Sequence, residues 1–215
     1  MGPIKAIKII LILMLPLLIF LSVLNLTSFD ESFYTREFSE QKVSENVPDA
    51  KSLHQKVMDF LKGGASQPPE GFNEKEKQHL IDVKRLVSIS TILLYILLFI
   101  FAALLLASAF IIKVNNYLSN FIGRIFLIGG FLTIFLAILL FFLISSDFQS
   151  NFESFHTMFF KQGTYTFEAK ETIVNLYPEQ LFMDLGIRIS KWVVITAAVF
   201  MLIGSFFIFG SKKNK

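Results

Sequence analysis

Four stretches of this chain hold no charged residue over a length that can cross a lipid bilayer: Ile9 to Phe29, Leu86 to Ile112, Ile125 to Ser146 and Trp192 to Ser211. About 20 predominantly apolar residues in a helix match a hydrocarbon core about 30 Å thick. Apolar residues run all the way round each stretch instead of along one stripe, as lipid-facing helices require. The second stretch is the longest, so it tilts or continues beyond the membrane. The first is too long for the apolar core of a signal peptide, and no small-x-small cleavage site follows it. It therefore reads as a retained anchor. The sequence predicts an all-α integral membrane protein, one domain over residues 1–215, with spans at about 9–29, 86–112, 125–146 and 192–211.

Charge sets the direction of the spans. Lys5, Lys8, Lys113, Arg124, Lys212, Lys213 and Lys215 lie in three places, the N-terminus, the turn from Lys113 to Arg124 and the C-terminal tail, where there is no Asp or Glu. All 17 acidic residues fall elsewhere, 11 between Thr27 and Arg85 and 6 between Asp147 and Ile187. Lys and Arg in short flanks mark the cytoplasmic side. Both termini are thus predicted inside, at a plasma membrane, with segments 30–85 and 147–187 outside.

Neither outer segment has the composition of a disordered linker. In the first, Ala50, Leu53, Val57, Phe60 and Leu61 recur at helical spacing, with Asp49 at the N-cap and Gly63-Gly64 as the stop. Gln67 to Gly71 is a turn. Asn73 opens a second helix, with Glu76 completing a capping box, and nothing breaks that helix before Ile112. The second segment carries nine aromatic rings, among them Phe155, Phe159, Phe160, Tyr165 and Phe167. Rings in that number pack on the first segment or dip into lipid. The two segments are expected to form one extracytoplasmic cap on the helix ends.

The usual catalytic signatures are absent: no GxSxG, HExxH, P-loop or GxGxxG occurs. With no Cys, the chain has no disulfide, thiol nucleophile or thiolate metal site. No span holds an Asp, Glu, Lys, Arg or His, which argues against an ion pathway or a charged-substrate carrier. The polar segments are net acidic, which excludes a nucleic-acid surface.

Three histidines remain. His54, beside Gln55 and Lys56, reads as a solvated residue on the polar side of its helix. His79 precedes the second span and His156 follows the third, so opposite directions of travel bring both to the outer interface. Each is either an amphipathic ring at a headgroup boundary or one half of an acid–base pair. A metal site would need Asp82 or Glu153 as well, and no HxH or HxxxH spacing supports one.

His79 to Lys84, with its HxxDVK pattern, resembles a motif of the lipoprotein intramolecular transacylase (Lit) family of Gram-positive bacteria. Phe155 to Phe160 resembles that family's FHxxFF. Leu176-Tyr177-Pro178-Glu179, followed by Phe182 and Asp184, is similar to its aromatic-Pro-acid segment. Tyr165 stands where the family has Trp. The resemblance covers nearly the whole chain and includes the four spans.

It implies a membrane enzyme whose substrate is a diacylglyceryl lipoprotein. The sn-2 acyl chain would move within that molecule to the α-amine of its N-terminal Cys, giving the lyso form. The nucleophile belongs to the substrate, so the protein needs none of its own. His79 and His156 would share the acid and base roles, in an order that the sequence leaves open. Asp82 and Lys84 would support them, and Phe155, Phe159, Phe160, Tyr165 and Phe167 would line the substrate. Neither cofactor nor metal is implied, and the partners are the lipoprotein and membrane lipid. The competing readings are a non-catalytic scaffold or sensor, an enzyme acting on separate lipids, and, weakest, a transporter.

Overall fold

The computed structural model describes residues 2–112, 115–161 and 163–213, and among them every regular element is a helix. Lys113 and Lys215, two of the charges used for orientation, lie outside the described residues. In chain order the helices are α1 (Pro3–Thr27), α2 (Glu31–Glu40), α3 (Val43–Asn46), α4 (Ala50–Lys62), α5 (Glu74–Ile111), α6 (Asn115–Ser146), α7 (Phe148–Phe159), α8 (Thr172–Leu176) and α9 (Glu179–Lys213). Four of them are long and apolar enough to cross a membrane: Pro3–Thr27, Glu74–Ile111, Tyr117–Ser146 and Glu179–Ser211. The chain is a multi-pass, all-helical membrane protein. α1 stops short of Phe29 because Asp30 begins the next helix, its carboxylate accepting the Ser32 N–H at 3.0 Å.

Contacts divide the chain into two compact units. One comprises Met1–Leu24, Thr91–Phe142 and Arg188–Lys215. Leu15, Ile19 and Val23 of α1 pack there with Ala137 of α6 and with Val193 and Ala197 of α9. Leu11, Phe121 and Ile125 form a second buried group. Lipid is as apolar as a leucine side chain, so helices in it associate by close packing and favour small residues at the contact. α6 and α9 do this along an antiparallel seam. A Cβ on Gly123 would lie 2.7 Å from the Gly204 carbonyl, and one on Gly204 would lie 2.6 Å from the Gly123 carbonyl. Two turns on, a Cβ on Gly130 would lie 3.0 Å from the Ala197 carbonyl. Gly123 and Gly130 are a heptad apart, as are Ala197 and Gly204, which keeps both pairs on the facing sides.

The other unit comprises Asn25–Ser90 and Leu143–Ile187, and its core draws on both segments. Phe33 and Phe38 of α2 and Val57, Phe60 and Leu61 of α4 pack with Ile173, Leu176 and Leu181. α4 follows the expected pattern and ends at Gly63, whose φ of 91° is one that a residue with a Cβ rarely adopts. Asp49 holds the N-cap position there without a side-chain cap bond.

At the start of α5 the expected capping box is complete. Asn73 Oδ1 accepts the Glu76 N–H at 3.0 Å, and Glu76 Oε2 accepts the Asn73 N–H at 2.6 Å. The other Glu76 oxygen, Oε1, accepts the Ile173 N–H of α8 at 2.7 Å. This carboxylate is 1% exposed.

Two stability measurements follow. Gly204→Ala places a methyl against backbone and is expected to cost about 1–3 kcal/mol, the usual range for overpacking, seen as a lower Tm in detergent. Glu76→Gln turns one acceptor into a donor facing an N–H. It is expected to cost a similar amount, about 1–3 kcal/mol for a buried unsatisfied group, and to speed hydrogen exchange at the Ile173 amide.

Candidate functional site

His79 lies on α5 one turn beyond Glu76, so the capping box fixes the rotational phase that carries its ring inward. Asp82, Lys84 and Arg85 still follow it before the charge-free stretch begins at Leu86. The residue is 7% exposed. His156 comes from α7, which starts where the Asp147 carboxylate accepts the Ser150 N–H at 3.1 Å. The two imidazoles are distant in sequence but stack, with ring centroids 6.1 Å apart and planes inclined by 22°.

Their surroundings differ. The Nδ1–H of His156 donates to the Phe152 carbonyl, one turn back on the same helix, at 2.7 Å. A neutral imidazole carries one N–H, so the Nε2 lone pair of His156 is left available to accept a proton. His79 Nδ1 is buried without a hydrogen-bond partner. Phe160 and Phe167 pack on its ring at 4.8 and 5.3 Å. Burial, with a smaller contribution from the neighbouring His156, pulls its pKa down to about 4. His79 is therefore a neutral ring at physiological pH.

Both histidines line a cavity of about 410 Å³ whose walls are otherwise mostly apolar. Among the expected lining residues, Phe155, Phe160, Tyr165 and Phe167 face it. Tyr165 and Phe160 lie 5.4 Å from the His156 ring, and Phe155 lies 5.6 Å from it. Phe159 packs on Phe155 at 4.9 Å with its ring tilted by 46°, is 51% exposed, and is absent from the lining. Asp82 is half-buried and is likewise absent from the lining. Lys84 is committed elsewhere: its Nζ donates to the Ala65 carbonyl at 2.9 Å and sits 4.1 Å above the Phe60 ring. Among the described residues no cluster of His, Asp and Glu could hold a metal ion.

His54 is a correction. It was expected in solvent, yet it is 2% exposed. Its ring lies 4.2 Å from Tyr34 and 5.2 Å from Phe38, and its Nδ1 is 3.0 Å from the Tyr177 hydroxyl. The amphipathic pattern of α4 assigned one face to a core and left the other to water. The rings of α2 and Tyr177 cover part of that second face. Burial, and to a lesser degree Lys62, lowers the His54 pKa to about 4. The only sequence signal was a string of aromatic residues, Phe33, Tyr34 and Phe38, at helical spacing within the first polar segment.

Comparison with known proteins agrees with this architecture. The family model for the lipoprotein intramolecular transacylase Lit matches residues 9–182. The fold is similar to the in meso structure of the membrane integral lipoprotein intramolecular transacylase Lit from Bacillus cereus, with a TM-score of 0.83 and 17% identity over 98% of each chain. A variant of that protein with a histidine replaced by alanine gives a TM-score of 0.81 at 16% identity, over 98% of this chain and 96% of that one. An uncharacterized protein of Aquifex aeolicus (strain VF5) is 26% identical over 127 residues. That match spans 59% of this chain and 53%, about half, of the relative's length.

The depressed His54 pKa has a consequence for stability. A folded-state pKa of about 4, against 6.5 for the free side chain, gives stability that is fully present above pH 6.5 and is lost as pH falls toward 4. The loss is about 3 kcal/mol from this residue. Thermal unfolding in detergent between pH 7 and pH 4.5 is expected to show a steeper fall in Tm for the native chain than for His54→Phe.

Proposed function

This chain belongs to the lipoprotein intramolecular transacylase Lit family, and from that premise we propose that it moves the sn-2 acyl chain of a diacylglyceryl lipoprotein onto the α-amine of the same molecule's N-terminal Cys. The product is an N-acyl, S-monoacylglyceryl lipoprotein. The observation that carries this reading is the pair of stacked imidazoles, His79 and His156, on the wall of one apolar cavity.

The reaction forms a bond from the amine nitrogen to the ester carbonyl carbon and breaks the bond from that carbon to the glyceryl oxygen. One proton leaves nitrogen and one arrives on oxygen, so the net proton count is unchanged. The α-amine has a pKa of about 7.7–8.0, so its free-base form is a sizeable fraction near neutrality. On attack its nitrogen becomes acidic, and His156 Nε2 takes the proton. The Nδ1–H bond to the Phe152 carbonyl holds the ring in the tautomer this needs. The imidazolium so formed returns the proton to the departing glyceryl oxygen. His79, neutral because it is desolvated, donates its N–H to the ester oxygen as charge builds there, a role that suits a neutral imidazole.

The rings supply the remaining conditions. Amine and ester belong to one molecule, and holding them together is worth an effective molarity of about 10⁵ M or more. Phe155, Phe160, Tyr165 and Phe167 keep water from the ester, which would otherwise hydrolyse it. Asp82, three residues after His79 on the same face of α5, is a supporting residue in this reading. Lys84 acts through the fold, fixing the turn after α4 by its bond to Ala65. Cytoplasmic termini, supported by the lysine-rich flanks, put residues 30–85 and 147–187 on the outer side as a cap, with the cavity at the outer interface of the plasma membrane, where a lipidated substrate resides.

Mass spectrometry of a diacylated lipoprotein's N-terminal peptide tests the proposal. The native protein is expected to leave total mass unchanged while moving one acyl chain from glycerol to the amine. His156→Ala should slow that transfer by about 10²–10⁴-fold, the range for losing a general acid or base, and His79→Ala by about 10²–10³-fold, the range for losing a donor to the developing oxyanion. Unchanged rates in both variants would favour a scaffold or sensor, and release of free fatty acid would favour a hydrolase.

A further inference from the structure

The mechanism above leaves one buried polar cluster unused. Tyr177 lines the same cavity as His79 and His156, whereas His54 lies behind the wall and does not reach the lining. The hydrogen bond between them joins residues 123 positions apart and measures 3.0 Å. Tyr177 is set between two helices. It caps the end of α8, its backbone N–H donating to the Ile173 carbonyl one turn back, and Pro178 and Glu179 then open α9.

The direction of this bond can be read from the other side of the imidazole. His54 Nε2 is buried with no hydrogen-bond partner, and the Glu31 carboxylate Oε2 stands 3.8 Å from it. A carboxylate at that distance favours the tautomer with its N–H on Nε2. Nδ1 then carries the lone pair, so the Tyr177 hydroxyl donates and His54 accepts. Tyr34, the neighbouring phenol on the lining, has its own hydroxyl committed to the Ser28 carbonyl at 2.9 Å. Tyr177 therefore keeps its oxygen lone pairs free, with its hydrogen tied back into the protein.

We propose that Tyr177 is a substrate-binding residue whose phenol oxygen accepts a hydrogen bond from the α-amine of the substrate, and that His54 is the positioning residue which aims that oxygen. This rests on the transacylase reading and specifies how that site holds its nucleophile. An acceptor that cannot donate back selects the N–H face of the amine and leaves the nitrogen lone pair free for the carbonyl carbon. Burial, with added repulsion from Tyr34 and Glu31, pushes the Tyr177 pKa well above the usual range, so the phenol stays protonated and bonded to His54 throughout the working pH range.

The test uses the full chain in detergent with a diacylated lipopeptide, with transfer followed by mass spectrometry and Tm measured for every variant. Tyr177→Phe keeps the ring and removes the oxygen. It is expected to lower the single-turnover transfer rate by about tenfold or more, with a fall in Tm no larger than one unpaired buried acceptor, His54 Nδ1, produces. His54→Leu removes the acceptor and should lose as much, while the double variant should lose no more than either alone. In His54→Asn the side-chain oxygen takes the place of Nδ1, and most of the rate should return. A merely structural His54 would give losses that track Tm and add to that of Tyr177→Phe, and Asn would not rescue them. Native transfer in Tyr177→Phe, additive losses, or failure of Asn to restore the rate overturns the assignment while leaving the transacylase reading intact. Absence of acyl transfer by the native chain overturns both.

Discussion

Glu76 carries two structural tasks, one on each carboxylate oxygen, and the site is built on them. Oε2 closes the capping box with Asn73 and so fixes where α5 begins. Oε1 takes the first free N–H region of α8, at Ile173, from the other polar segment. A buried carboxylate with both oxygens satisfied by backbone N–H groups admits one rotational setting of its helix. His79 follows three residues later, on the same face. Tyr177 follows Ile173 across one short helix. A single buried side chain thus sets the position of one candidate imidazole and of the phenol that shares its cavity.

His156 gets its geometry by a different and more local route. The Phe152 carbonyl that it bonds lies one turn back in α7. α7 contains no fully buried residue, so its ring is aimed by its own helix and by packing against Phe152 and Phe155 at 4.3 and 5.6 Å. One imidazole is therefore positioned by the fold and desolvated. The other is positioned by its own backbone and keeps an open nitrogen. Under the proposed reaction that asymmetry separates a neutral hydrogen-bond donor from a proton acceptor, although both residues are the same amino acid.

The spans were legible because lipid imposes a length and an absence of charge, and both can be counted along the chain. The capping box was legible because its partners are three residues apart. What the sequence hid was tertiary. α2 and α7 are short, and their ring-rich sequences fit either a loop packed on a core or an amphipathic helix. The Gly123, Gly130, Ala197 and Gly204 seam was masked by its setting, since in a stretch that is apolar all round only residue size marks the side that meets another helix. Its heptad spacing was the available signal. His54 was misjudged because periodicity within one helix says which residues share a face and nothing of what arrives to cover it.

The buried histidines also show why composition alone pointed to no enzyme. An imidazole among rings loses its charge by desolvation, so His54 and His79 contribute hydrogen-bonding atoms to a hydrophobic interior without bringing ions into it. For a reaction between two groups of one lipidated molecule this suffices: the substrate supplies nucleophile and leaving group, and the protein supplies a dry cavity, oriented N–H groups and one open lone pair. Water competes with the amine for the ester, and the apolar side chains that make up most of the cavity wall exclude it. Under the proposed reaction, the polar groups on the cavity wall divide between those held by the fold, as in Tyr34 and Tyr177, one kept neutral by burial, His79, and the open nitrogen of His156 that takes the proton.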